Sequence, residues 1–194
     1  MAIVKSATRT LSAQSRALDW AQQALVIVGA SLFVAVCARV TLPLPFTPVP
    51  LTLQNFAVLL VGLTLGSKRG FGAMALYLIE GASGMPVFNP VGPGGVAQLL
   101  GPTGGFLLAY PFVALLAGWI MEQGRKTFAR AATAAVLAEI VLFSGGLAWL
   151  AVLTHSLAQA ARYGLYWFVF AEIIKIMAAA ALASGWQRVV KGGV

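Results

Sequence analysis

Charged side chains are scarce in this sequence: Asp, Glu, Lys and Arg together supply 9% of its 194 residues, against about 25% in ordinary soluble domains. So few charges cannot cover a water-exposed surface, which excludes a soluble globular fold. Cysteine is limited to Cys37, inside an apolar run, so neither a disulfide framework nor a thiolate metal centre is available. Histidine is limited to His155. Without a second nitrogen or sulfur ligand it predicts no metal site, and no Ser or Cys nucleophile shares an arguable motif with it. The phosphate-binding loop is missing too, since GLTLGSK at 62–68 and GPTGG at 101–105 both lack the Walker A spacing. ATP hydrolysis by this chain is therefore not expected, and an enzyme is disfavoured.

What the sequence has in quantity is apolar residues, 60% of the chain, with a mean hydropathy of +0.89. At about 20 residues per crossing this predicts an all-α integral membrane protein with six transmembrane helices. The predicted spans are 22–40, 51–65, 71–79, 106–121, 132–153 and 163–186. The first ends at the cluster Pro43, Pro45, Pro48 and Pro50, which cannot continue a helix. The third is too short to cross alone at about 1.5 Å per residue, so it is expected to be tilted, lengthened by its flanks or broken. A turn at 66–70 carries Lys68 and Arg69. The domain layout is an arm at 1–20, one six-helix domain at 21–187 and a tail at 188–194. The arm has no small-residue cleavage site after its first apolar run.

The formal net charge of +8 reads as membrane topology rather than nucleic-acid binding, because the basic residues sit in small groups at the ends of apolar runs. Lys5, Arg9, Arg16, Lys68, Arg69, Arg125, Lys126, Arg130, Arg188 and Lys191 fall on one side, against Arg39 and Arg162 on the other. Lysine and arginine favour the cytoplasmic side, so both termini are predicted to be cytoplasmic. Internal repeats and matching halves are not visible.

That topology sends 41–50, 84–105 and the connection near His155 to Arg162 to the external face. The segment 84–105 between the third and fourth spans holds seven glycines, four prolines and no charge. Irregular backbone at a membrane must be buried in protein or line a cavity, so this segment is a candidate lid or pocket wall. Met85, Val87, Phe88, Val91, Leu99 and Leu100 argue against a free surface loop. Ionisable groups at membrane depth cost several kcal/mol and mark substrate routes or paired charges. Glu172 and Lys175, three apart on one face of the last span, are either a self-satisfied ion pair or a donor and acceptor pair for a polar ligand. Glu139 is a pocket wall, a proton site or an interface residue, and Glu80 is expected at the interface. Gln54, Asn55 and Asn89 are each either ligand hydrogen bonders or backbone caps.

Three long runs, PLPFTPVPLTLQNFAVLLVGLTLG at 43–66, YLIEGASGMPVF at 77–88 and LLGPTGGFLLAY at 99–110, closely resemble the BioY family, the biotin-binding S components of energy-coupling factor (ECF) transporters. The resemblance extends over about residues 25–185, and Gly146, Trp149 and Leu150 continue it. It implies a six-helix S component of the bacterial cytoplasmic membrane that captures external biotin with high affinity and needs no cofactor. Import would be driven by a transmembrane coupling subunit and two ABC-type ATPases. The family's last-span acid and lysine fall on Glu172 and Lys175, which would hold the ureido ring with Asn89 joining from the third loop. The family's aspartate is a glutamate here, and its Pro and Phe pair is Trp167 and Phe168.

The first loop, with Thr47, Pro48 and Pro50, would act as the gate. Biotin offers a polar urea, an apolar ring and an aliphatic chain, so its site needs few polar groups in a mostly apolar pocket. Phe46, Phe88, Tyr163, Tyr166 and Trp167 are candidate walls beside Gln54, or else membrane-interface anchors. The carboxylate's partner stays open between Arg162, Arg39 and water. Ser31 and Ala35, one turn apart, would let the coupling subunit approach closely. A solitary or self-associating transporter and a membrane enzyme using Glu139 or Glu172 as a base are the competing readings.

Overall fold

The computed structural model describes the backbone of residues 2–191 and the side chains of residues 18–186. The side chains of Lys5, Arg9, Arg16, Arg188 and Lys191, and with them the arm's and tail's share of the charge asymmetry, lie outside the described residues. Helices order the chain: α1 (Ala2–Arg39), α2 (Gln54–Leu65), α3 (Ser67–Ala82), α4 (Gly95–Leu100), α5 (Gly104–Glu122), α6 (Phe128–Thr154), α7 (Leu157–Gly164) and α8 (Val169–Lys191). Four stretches among the described residues, Leu18–Arg39, Gly104–Glu122, Phe128–Thr154 and Val169–Trp186, are long and apolar enough to cross a membrane. The protein is accordingly a multi-pass membrane protein. The remaining major helices, α2 with 12 residues and α3 with 16, are shorter than the usual 17–25 of a crossing.

Several predicted boundaries shift, each for a local reason. The third span lengthens at both ends into α3, because the turn shrinks from 66–70 to Gly66, whose φ of 85° is open to glycine at little cost. Lys68 and Arg69 therefore belong to the first turn of α3. The proline cluster forms the tip of a hairpin in which β1 (Thr41–Leu42) pairs antiparallel with β2 (Leu51–Thr52), in register Thr41 with Thr52. Proline has no N–H to donate, so the ladder stops where the prolines begin. The connection after α6 is itself helical: His155 closes α6 in the left-handed conformation and the Ser156 side chain caps α7, accepting from the Gln159 N–H at 3.3 Å. The last span begins at Val169, so Tyr163 lies in α7 and Tyr166 and Trp167 precede α8.

The segment 84–105 is ordered by packing, as its apolar content requires. Phe88 is buried against Tyr77, ring centroids 5.4 Å apart, over Gly81. The Tyr77 hydroxyl donates to the Val87 carbonyl at 2.9 Å, and the Trp149 indole N–H donates to the Gly101 carbonyl at 2.9 Å. Val87 is buried and Leu99 packs against the core, whereas Met85, Val91 and Leu100 are exposed.

Helix α5 is the hub. It packs on α2, α3, α4 and α6, and two thirds of its length is buried. At its end Glu122 accepts from the Ser67 N–H and hydroxyl, both at 2.8 Å, supplying an anion to the first turn of α3. That bond brings the basic turn with Lys68 and Arg69 to the same end of the bundle as Arg125, Lys126 and Arg130. Helix α1 docks on α3 through Ser31, whose hydroxyl donates to Glu80. Ser31 is enclosed inside the chain and Ala35 packs against its core, so this small-residue stripe closes α1 onto its own α3. This corrects its expected availability to a coupling subunit.

Close approach of α2 to α5 depends on Gly62, where an added Cβ would lie 2.7 Å from the Ala114 carbonyl oxygen and 2.9 Å from its Cα. Overpacking of this kind costs about 1–3 kcal/mol. Gly62→Val is expected to lower the apparent Tm in detergent by several degrees. Gly29→Ala, in open space, is expected to leave it unmoved, and equal melting of all three proteins would refute the tight contact.

Candidate functional site

The N-terminal turn of α2 carries two amides into the middle of the bundle. Gln54 and Asn55 are both buried. The Gln54 amide donates to the Tyr77 hydroxyl at 2.8 Å, linking α2 to α3. Asn55 reaches the other way. Its Nδ2 donates to Glu139 Oε1 of α6 at 2.5 Å and to Glu172 Oε2 of α8 at 2.7 Å. Lys175 Nζ donates to the other oxygen of Glu172 at 2.7 Å, one helical turn away. One amide, two carboxylates and one ammonium thus form a continuous buried network between three helices. Among the described residues, Asn55 Oδ1 and Glu139 Oε2 are left with no hydrogen-bond partner.

This network borders a small cavity of about 50 Å³. Gln54, Asn55, Asn89, Glu172 and Lys175 are among its polar groups, and Phe106, Leu142, Phe143 and Phe168 are among its apolar walls. Tyr110 of α5, buried, lines one side. Pro50 and Val49 of the hairpin cover it from above the α2 N-terminus. Asn89 stands at the rim with its Oδ1 accepting from the Val91 N–H at 3.3 Å. Its side chain both caps a turn and reaches the cavity.

Of the predicted site residues, the fold brings together Glu172, Lys175, Asn89, Gln54 and Pro50. Phe88 stands behind this group, packed into the core. Phe46, Tyr163, Tyr166 and Trp167 gather elsewhere, in an outer cleft that also contains Arg162 and Gln159. The Phe46 and Trp167 rings meet there at 4.2 Å, and the Gln159 amide donates to the Tyr163 hydroxyl at 2.9 Å. Thr47 joins the two regions, since its hydroxyl donates to the Tyr163 carbonyl at 2.6 Å and so holds the hairpin tip on α7. Pro48 is exposed at that tip.

Sequence reading left out the wall that α5 contributes. Thr103, Phe106, Leu107 and Tyr110 line the cavity at spacings of three and four, so they share one helical face. The same periodicity is visible in the sequence, where it looks like any core-facing stripe. Nor did sequence reading single out Asn55 from Gln54 as the residue that bridges the carboxylates.

Removing that bridge would take the donor from the buried Glu139 carboxyl and leave Glu172 with Lys175 as its partner. Hydrogen bonds to charged groups are worth about 1.5–3 kcal/mol each, so Asn55→Leu is expected to destabilise the protein by at least that amount in thermal unfolding. Asn55→Asp, which adds a third carboxylate, is expected to melt lower still. If both variants melt with the wild type, the bridge holds nothing together.

Comparison with known proteins identifies the family and the fold. The sequence profile described as the BioY family matches residues 7–192. The chain is 35% identical over 164 residues to a probable biotin transporter BioY of Pyrococcus horikoshii, covering 84% of this chain and 90% of the relative. It is 34% identical to the biotin transporter BioY of Thermotoga maritima, covering 82% and 88%, and 37% identical to biotin transporter BioY2 of Lactococcus lactis, covering 78% and 81%. The fold is shared with the crystal structure of the S-component for biotin from an ECF-type ABC transporter, with a TM-score of 0.79 and 22% identity over 88% of this chain and 93% of that one. These relatives are named for transport, not for catalysis.

Proposed function

The chain belongs to the BioY family, and from that premise we propose that it is the biotin-capturing S component of an ECF-type importer, binding external biotin for ATP-driven uptake. The observation that carries this reading is the cavity, where buried polar groups of both hydrogen-bonding signs stand beside aromatic and aliphatic walls. Biotin's urea presents two N–H donors and one carbonyl acceptor. Glu172 supplies acceptor oxygens, Lys175 an N–H donor, and Asn89 an amide that does either. Phe106, Leu142, Phe143 and Phe168 supply apolar surface for the ring and chain. Biotin is the transported ligand, and no cofactor is required.

Ligand pockets run to about 300–1,000 Å³, far above the cavity of about 50 Å³ here. Capture therefore requires the hairpin to lift. In this reading Thr47, Pro48 and Pro50 form the gate, and the Thr47 bond to Tyr163 is its latch. The outer cleft with Phe46, Tyr163, Tyr166 and Trp167 is the approach, and Arg162 there is the cation for the biotin carboxylate. The membrane arrangement proposed is six spans, α1, α2, α3, α5, α6 and α8, in the cytoplasmic membrane. The basic end near Ser67 and Glu122 lies inside together with both termini. Energy would come from a coupling subunit and ABC-type ATPases, consistent with the missing phosphate loop.

Calorimetry on the purified protein tests the ligand and its site together. Wild type is expected to bind biotin stoichiometrically, and Lys175→Ala and Asn89→Ala are each expected to weaken it tenfold or more, about 1.4 kcal/mol. Absence of binding by a folded wild type would overturn the assignment. Unaltered binding in both variants would move the ligand elsewhere.

A further inference from the structure

Glu139 has no part in the ligand contacts proposed above, yet it shares a donor with a residue that does. Its Oε1 and the Glu172 Oε2 both accept from the single Asn55 Nδ2, at 2.5 and 2.7 Å, which sets those oxygens no more than about 5 Å apart. The groups facing Glu139 can be named element by element. From α2 comes Asn55, and from α8 come Glu172 and Lys175. Tyr110 of α5 is buried in the same cluster, and Arg162 of α7 is exposed in the outer cleft. One ammonium therefore stands against two buried carboxylates, and it bonds to Glu172. The second oxygen of Glu139 is buried without a partner among the described residues. On its other side Glu139 borders an apolar groove with Val136, Ile140, Leu147, Leu165 and Ile176.

Two carboxylates with one countercharge leave an uncompensated buried charge, which low-dielectric surroundings resist strongly. A single proton removes it, and leaves Glu172 and Lys175 as a neutral ion pair. Of the two acids, Glu139 is the one without an ammonium. We propose that Glu139 is a positioning residue kept as a neutral carboxylic acid, whose proton lets the Asn55 amide hold Glu172 in the orientation that receives the ligand. Loss of that proton puts a second anion on Asn55 and pulls its amide away from Glu172. Ligand affinity then falls as pH rises through the titration of Glu139. The part concerning the ligand rests on the biotin reading above; the part concerning the proton does not.

Two measurements on the full-length protein separate those parts. Infrared difference spectra of the ligand-free protein between neutral and high pH are expected to show the carbonyl stretch of a protonated carboxylic acid disappearing, and E139Q is expected to lack that band. Absence of the band in wild type at neutral pH overturns the proposal, whatever biotin does. In calorimetry, E139Q is expected to bind biotin at least tenfold more tightly than E139L, because the amide mimics the neutral acid. E139Q is also expected to lack the wild type's loss of affinity with rising pH. E139Q as weak as E139L, or with the same pH profile as wild type, overturns it. If wild type binds no biotin, the transport reading fails, and the infrared result alone decides the proton.

Discussion

The buried Asn55 amide is the constraint to which the rest of the structure adjusts. It ties α2, α6 and α8 together at one atom, by donating to Glu139 and Glu172 at once. Helices surrounded by lipid gain little from hydrophobic association with each other, so small-residue packing and interhelical hydrogen bonds decide how they meet. Three helices joined by buried hydrogen bonds of 2.5 and 2.7 Å are fixed in rotation as well as in distance. The polar faces of α6 and α8 must turn inward to complete the network. Their opposite faces are then left apolar and outward, with Ile140, Ile173, Ile174 and Met177 all exposed.

Fixing that triad also explains why α5 is the buried hub. Its cavity-facing stripe meets the network from the side that α2, α6 and α8 leave open. Its other contacts are made through backbone close enough to exclude side chains, as at Gly62 against Ala114. Small residues buy that closeness, and the gain is dispersion contact over the full length of the helix pair. The clamp from Glu122 to Ser67 then sets the level at which α3 begins relative to α5.

Much of this was legible in the sequence, and the gaps have physical causes. Apolar runs ended by prolines and basic turns gave the helices and their order, since charge scarcity leaves a membrane fold as the only solvent match. Glu172 and Lys175 were readable as a pair because their spacing is local. The Asn55 bridge was not, since residues 55, 139 and 172 meet only through tertiary packing, and no periodicity encodes which of two adjacent amides points at which neighbour. The aromatics around Tyr166 and Trp167 were read into the same pocket as Glu172. The helix break between α7 and α8 turns them to the outer face instead, by a conformational detail that their composition does not specify. Ser31 and Ala35 looked like a docking stripe because small-residue spacing says that something comes close, without saying whether it belongs to this chain or another.

The depth of the site follows from a length. Helix α2 has 12 residues, so at about 1.5 Å per residue it rises about 18 Å, against about 30 Å for the hydrocarbon core. It starts upward from the Gly66 turn beside the clamped, basic end of the bundle. Its other end must therefore stop well short of the opposite face, with Gln54 and Asn55 still among helices. An α-helix that ends inside a membrane protein leaves N–H groups needing partners and space above them needing a cover. Thr52 meets one such group, its hydroxyl accepting from the Gln54 N–H at 3.3 Å, and the proline-bearing hairpin supplies the cover. The polar pocket and the hairpin over it are thus two consequences of one short helix. A longer α2 would carry its amides out toward the surface, fill the cavity with its own side chains, and leave the hairpin nothing to close over.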